Sequence, residues 1–505
     1  MGSEKAWQKN LHILLNLRGN ARTSGETFKK EGGKIFDSGS RATIAIIFFV
    51  KDTSVKNSAI YYYDIGDYLK REEKLNRLAN FSNLDAIPFE TITPNNKGDW
   101  INQRDDAFEK LIPLKRDKKL NNDSVFDINS GGVASGRDSW VYNFSKDALM
   151  QNVQKCIDTY NADLKRFNAH FREAFKSRAK GVKSAELYKQ LNDKEITTDK
   201  TKIAWTEGLK NHLIKNKNLQ ESHKDRIRLS LYRPFNKQWL YFDKNLNEEQ
   251  SQFSKIFPDK ALTQNVVINT GVGNGKNFSA LVSDCISSCD LILHNQAYPL
   301  YYYDDLGNRH HAISGYALNL FRKHYEDNLI AEEEIFYYIY AILHHKGYLE
   351  KYKNSLAKEE PRIALSEDFK ELSALGKELA ELHLNYETMR EMHASVEYKT
   401  LMNAEEEGYY DVETMKKIGD RIHYNNHIAI TKIPKKAFDY VVNGKSAIDW
   451  VIERYKKTTD KDSLIENNPN DYKGGKYIFE LLCRVITLSV KSVDLIEKIS
   501  EKRFE

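Results

Sequence analysis

The 505 residues carry 77 Lys+Arg against 72 Asp+Glu, a net charge of only +5, with a mean hydropathy of −0.65. This balance excludes a polycationic chain, so any nucleic-acid footprint must come from local clustering. No apolar run approaches the roughly 20 residues of a membrane span, so no membrane partner is expected.

The length predicts about three domains. Four cysteines (Cys156, Cys285, Cys289, Cys483) are too few for a disulfide scaffold and point to a reducing compartment. Cys285 and Cys289 precede His294, but no second ligand pair follows to complete a zinc site. The opening MGSEKAWQKN has no signal-peptide core, so a cytoplasmic location is expected.

Residues 11–17, LHILLNL, read as a buried strand ending at the polar turn Arg18-Gly19-Asn20. After a loop, 42–50, ATIAIIFFV, have the pattern of a strand buried on both faces, and AIYYY (59–63) forms another. Helical spacing follows at Tyr68, Leu69, Leu75 and Leu78, with Asp67 placed to cap. This opening is rich in strands and poor in helices, like the last third of an α/β domain.

Between 91 and 140, Gly131-Gly132 and Gly136 mark turns beside short strands. Arg104 and Arg137 each adjoin an aspartate, Asp105 and Asp138, so local salt bridges are one explanation for them. Residues 145–220 are helical by period. ALMQNVQKCIDTYNADLKRFNAHFREAF reads as one long amphipathic helix, a spacer or connector.

The densest chemistry lies at 226–242, RIRLSLYRPFNKQWLYF. Arg226, Arg228, Arg233 and Lys237 alternate with Tyr232, Phe235, Trp239, Tyr241 and Phe242, with Gln238 among them. Cations neutralise phosphates, amides read base edges and aromatics stack on bases. The competing explanation is a half-buried strand pair whose aromatics are core and whose charges are solvated.

Downstream, NVVINT runs into Gly271-Val272-Gly273-Asn274-Gly275-Lys276. A strand followed by GxGxG suggests a cofactor loop. However, Thr270 stands where a P-loop needs glycine, Asn277 follows the lysine, and FSALVSD continues as strand. A hairpin or DNA-facing loop fits better. Residues 314–505 read as mainly helical, with EEEIFYYIYAILHHKGYLEKY as one helix. The adjacent His344 and His345 do not share a helix face, so they read as helix-terminal polarity rather than a metal pair. There is no GxSxG, HExxH, P-loop, CxxC or Asn/Asp-Pro-Pro-Tyr motif.

Several blocks, in order, resemble one family. They include NLRGNARTSGE (16–26), EGGKIFDSGSRATIAIIFFVKD (31–52), TPNNKGDWINQRDDAFEKLIPL (93–114), SGGVASGRDSWVYNFSK (130–146), LYRPFNKQWLYFD (231–243) and VVNGKSAIDWVIERY (441–455). The chain resembles the C-terminal part of the type ISP restriction–modification enzymes, which join nuclease, helicase-like ATPase, N6-adenine methyltransferase and target-recognition modules in one polypeptide. That resemblance implies an α/β and α+β chain: terminal strands of a methyltransferase-like sheet, then a β-rich target-recognition region in a largely helical scaffold. It divides the chain at 1–120 (end of the methyltransferase domain), 121–220 (strand pair and helical connector), 221–313 (target recognition) and 314–505 (helical region).

The family's cofactor loop and catalytic tetrapeptide lie upstream of the NLRGN strand. The chain is therefore expected to hold no cofactor or catalytic residue of its own and not to methylate DNA alone. S-adenosylmethionine, ATP and Mg belong to the intact parent. The expected partners are double-stranded DNA and a methyltransferase catalytic module, in cis or as a separate chain. Arg41, Arg104, Arg137, Arg233, Lys237, Gln238, Asn274 and Lys276 are expected to face DNA. Two rival readings are a structural subunit that docks a separate methyltransferase chain, and a complete S-adenosylmethionine-dependent methyltransferase using residues 271–276.

Overall fold

In the computed structural model, residues 10–21, 25–36, 40–51, 58–116, 123–258, 264–271, 278–391, 393–398 and 408–505 are described. Strands β1 (Asn10–Arg18), β2 (Ile44–Lys51), β3 (Ala59–Asp64) and β4 (Glu90–Ile92) form the first sheet in the order β2-β1-β3-β4. β1 pairs antiparallel with β2 and parallel with β3. Alternation along β1 buries Ile13, Leu15 and Leu17 against Ile35, Ile65 and Ile87.

β2 departs from its sequence pattern. It forms a sheet edge, and Ile46, Ile47, Phe48, Phe49 and Val50 are 38–65% exposed rather than buried on both faces. Its composition suits a central strand, but no described element pairs with its outer edge. The helix beyond β3 is Arg71–Ala79, capped at Lys70, whose N–H donates to Glu73 Oε2 at 2.6 Å. Asp67, expected to cap it, is instead turned back onto Arg18, which also donates to Asp64 Oδ1 at 2.6 Å.

The long amphipathic helix spans Lys146–His170. Ser145 Oγ caps it by accepting from Ala148 N at 3.2 Å. Leu149, Val153, Ile157, Tyr160, Leu164 and Phe167 form its buried stripe. It breaks at Phe171, before a separate helix Arg172–Arg178.

The centre holds two four-stranded sheets. In one, Val267–Thr270 is flanked by Ala280–Ser283 and Gln296–Pro299, with Ser130–Gly131 beyond. In the other, Ile227–Arg233 and Asn236–Tyr241 form an antiparallel hairpin between Ile286–Ser287 and Tyr142–Asn143. Gly132 locks the sheets together. A Cβ there would sit 2.4 Å from the Cys289 backbone, so only glycine fits.

Helices Glu332–Ile342 and Phe369–Leu384 pack side by side at Gly376, where a Cβ would lie 2.0 Å from Tyr337 O. The single helix expected across His344-His345 is two, Glu332–Ile342 and Lys346–Lys351. His345 caps the second by accepting from Tyr348 N at 3.3 Å, which is the helix-terminal role expected of it. The C-terminal region also contains a sheet the helical period does not reveal: Ser395–Tyr398, Ile428–Thr431, Arg421–His423 and Lys416–Ile418, in that order. It packs under helix Tyr477–Ser500 through Tyr424 and Phe479. Overall this is a mixed α/β fold of several small sheets within helices. Among the described residues no sheet closes into a barrel and no helix is long and apolar enough to cross a membrane.

Candidate nucleic-acid interface

The 227–241 hairpin turns through Pro234 and Phe235, the latter at φ +58. Phe235 is 1% exposed and packs edge-on against Tyr386 and Tyr440, so the turn is anchored in the core. Tyr241 and Phe242 are also core. Trp239 is half-buried beneath Lys146 Nζ, 3.9 Å from its ring centroid. The aromatics therefore build framework, and none is an open stacking platform.

The cations of this stretch are largely committed. The Arg233 guanidinium lies 4.0 Å over the Tyr232 ring and donates to Tyr232 O at 2.6 Å and Ser288 Oγ at 3.2 Å. Its side chain is 13% exposed, and Asp290 stands 3.6 Å away. Lys237 is buried; its Nζ donates to Glu387 Oε2 at 2.8 Å, with Asp284 at 3.4 Å. Burial opposes its charge, but Tyr386, Cys285, Asp284 and Glu387 around it hold its pKa well above the usual lysine value. Gln238 is also buried, donating to Asn236 Oδ1 at 3.0 Å and accepting from Asn467 Nδ2 at 3.1 Å.

The other expected contacts are dispersed. Arg104 pairs with Asp99, at 2.8 Å, and with Glu359, also at 2.8 Å, not with the adjacent Asp105. The Arg104 guanidinium holds Asp99 well below the usual carboxylate range. The Arg137 side chain is fully buried and lies 3.6 Å from Glu248, not beside Asp138. Arg41 is exposed and donates to Ala21 O at 2.9 Å. Asn274 and Lys276 lie outside the described residues. The strands on either side of them, Val267–Thr270 and Ala280–Ser283, pair antiparallel. As placed, the Arg137 and Lys237 side chains are enclosed by the fold, and Gln238 is bonded within it and reaches only the wall of a cleft.

Among the described residues, two polar clefts mingle cations with amides. One, of about 390 Å³, runs between the hairpin and the Thr458–Asn467 segment. Tyr232, Gln238, Arg454, Lys456, Lys461 and Asn467 line it, with Asp138, Glu453 and Asp460 at its walls. The other, of about 920 Å³, is lined by Arg228, Arg309, Asn265, Tyr301, Asn385 and Asp284, among others. Arg309 stacks 4.4 Å over Tyr301. Cations set among amides can grip phosphates and donate to base edges. The sequence signals for these cations are weak: the basic run at 454–457 for Arg454 and Lys456, the Arg-His-His at 309–311 for Arg309, and none for Lys461.

The chain is a mixed α/β module of small sheets cut by clefts that mingle cations and amides. The chain belongs to the Type ISP C-terminal specificity domain family, whose model matches residues 124–481. Several solved structures are similar to it, among them the following three. A nuclease-deletion mutant of the Type ISP restriction-modification enzyme LlaGI, in complex with a DNA substrate mimic, is 36% identical, with a TM-score of 0.85 over 98% of this chain and 44% of that one. The ATP-dependent Type ISP restriction-modification enzyme LlaBIII bound to DNA is 32% identical, with a TM-score of 0.84 over 99% and 31%. A DrdV–DNA complex is 30% identical, with a TM-score of 0.79 over 97% and 47%. The chain thus spans less than half the length of these relatives. No curated protein matches it.

Proposed function

We propose that this chain recognises a short site in duplex DNA and presents the target adenine to a methyltransferase catalytic module outside it. The observation that carries this is the similarity along nearly the whole chain to three enzymes solved with DNA or a DNA mimic. Phosphate contacts would set register, and groove-edge contacts from the polar clefts would give specificity. The adenine would be flipped out of the stack to reach the catalytic pocket.

The sheet's apolar β2 edge supports the second half of the reading. A strand apolar on both faces belongs in the middle of a sheet, and a catalytic module completing that sheet would bury it. S-adenosylmethionine would be held by that module. The described strands on either side of the glycine-rich stretch, Val267–Thr270 and Ala280–Ser283, pair antiparallel, whereas a strand–loop–helix cofactor site leads into a helix. ATP and Mg would serve the restriction modules.

The test is binding of a randomised duplex pool followed by anisotropy against salt. Log affinity should fall linearly with log salt, by about 0.9 per phosphate neutralised, with one sequence enriched. Weak binding that ignores both salt and sequence would leave a structural subunit as the better reading.

A further inference from the structure

Arg137 is a buried cation without a full set of partners. Its side chain is 0% exposed, and Nε and Nη1 have no hydrogen-bond acceptor. Its remaining nitrogen, Nη2, donates to Thr206 Oγ1. A buried, under-satisfied guanidinium in a folded protein calls for an explanation.

Its surroundings supply one. Thr206 is the N-cap of helix Glu207–Ile214, its Oγ1 accepting from Leu209 N at 3.3 Å. The same hydroxyl donates to Glu248 Oε1, and Gly208 N donates to Glu248 Oε2 at 3.0 Å. A carboxylate thus sits on a helix N-terminus with an arginine behind it, 3.6 Å away. A helix N-terminal N–H, a hydroxyl and a guanidinium together form an oxyanion site.

The glycines around it are sited for close approach. A Cβ on Gly208 would lie 2.7 Å from Glu248 Oε1. A Cβ on Gly136, at φ +66, would lie 2.9 Å from Thr206 Cγ2. With Glu248 in place, Arg137 Nε and Nη1 have no acceptor, and a tetrahedral oxyanion offers more acceptor oxygens than a carboxylate. Glu248 also has a path to solvent. Its side chain is 28% exposed, and its backbone neighbour Glu249 is held independently by the bridge to Ala134, 2.9 Å in each direction.

We propose that Arg137, Thr206 and the N-terminus of helix Glu207–Ile214 form a phosphate cradle plugged by the protein's own Glu248, which a phosphate displaces. The phosphate is either free or a backbone phosphodiester. Only the second source rests on the DNA-binding reading.

The experiment uses the whole chain and Glu248→Gln, with melting followed against inorganic phosphate at fixed ionic strength. Glu248→Gln should gain a saturable rise in Tm at phosphate concentrations about tenfold below those that move the unsubstituted chain. Glu248→Asp, a conservative replacement in case the glutamine variant folds poorly, should respond in between. Adding Arg137→Lys to Glu248→Gln keeps the charge but removes the fork, and should weaken the response. A folded Glu248→Gln with no phosphate response beyond that to chloride would overturn the cradle and leave an internal ion pair. Duplex affinity separates the sources: a several-fold gain in Glu248→Gln, reversed by Arg137→Lys, identifies the phosphodiester. A phosphate response with duplex affinity unchanged identifies free phosphate.

Discussion

Lys237 Nζ donates to Glu387 Oε2 across 2.8 Å, joining the hairpin strand Asn236–Tyr241 to the turn after helix Phe369–Leu384. The ammonium is buried, and Glu387 also accepts from Lys473 at 3.0 Å and the Tyr477 hydroxyl at 2.7 Å. The contact therefore ties the central sheet to the C-terminal region through charge as well as packing. Lys237→Ala should cost roughly 2–4 kcal/mol, because it strips a largely buried carboxylate, 16% exposed, of its nearest cation while two donors remain. Urea unfolding measures this. A loss below about 1 kcal/mol would mean that water reaches Glu387 in place of the lysine.

Acid should destabilise the fold in two successive windows. Burial lowers the pKa of His344 from 6.5 to about 4, while its Nδ1 contacts Tyr340 O at 2.8 Å. Between those values the unfolded chain binds the proton and the folded chain does not, so stability falls as pH drops from 6.5 towards 4. Glu387 follows. Burial opposes its charge, but Lys237 outweighs that and brings its pKa from 4.5 to about 2. Its contribution is complete above pH 4.5 and is lost as pH falls through about 2. Burial also lowers the pKa of His383, His345 and His212, so His344→Gln should make the first window shallower by its own share and leave the second. Chemical denaturation across pH 4–7 tests this, and an unchanged slope would show that His344 is not among the groups responsible.

Arg233 should matter to every DNA sequence equally. Its guanidinium braces Tyr232 and Ser288, the seam between the hairpin and the strand after it, and little of it reaches solvent. Arg233→Ala should lower stability by about 1–2 kcal/mol and weaken duplex binding without reordering preferred sites. Selection from a randomised duplex pool provides the comparison. A new preferred sequence would make Arg233 a base reader.

The sequence made the architecture legible wherever one physical rule dominated. The buried strand at 11–17, the stripe of Lys146–His170 and the strand pair at 226–242 each follow from a simple apolar pattern. The sheet at 395–431 was hidden because its strands are three or four residues long, too short to show alternation. The candidate contacts were harder to read for a different reason. Arg104, Arg137 and Lys237 find acids far away in sequence, at Glu359, Glu248 and Glu387, and composition cannot show which cation is already neutralised. The same holds for β2, whose pattern reported burial that the described part of the chain does not provide.

That mismatch at β2 gives the last prediction. Five successive apolar residues, with Phe49 at 65% exposed, lie along a sheet edge whose backbone donors and acceptors face outward. Such an edge pairs with whatever strand is offered. On its own, the 505-residue chain should bind a hydrophobic dye and self-associate with rising concentration. Phe49→Lys should suppress both, with little change in melting temperature, because the side chain makes few contacts to lose. His12 is its one described ring neighbour, 5.2 Å away edge-on. The same substitution should block stable association with a separately expressed catalytic module, since a charge would then enter the middle of the completed sheet. Sedimentation velocity of the two variants, alone and mixed with that module, reads all of these effects. If Phe49→Lys still joined the module with undiminished affinity, the β2 edge would not be the surface that receives it.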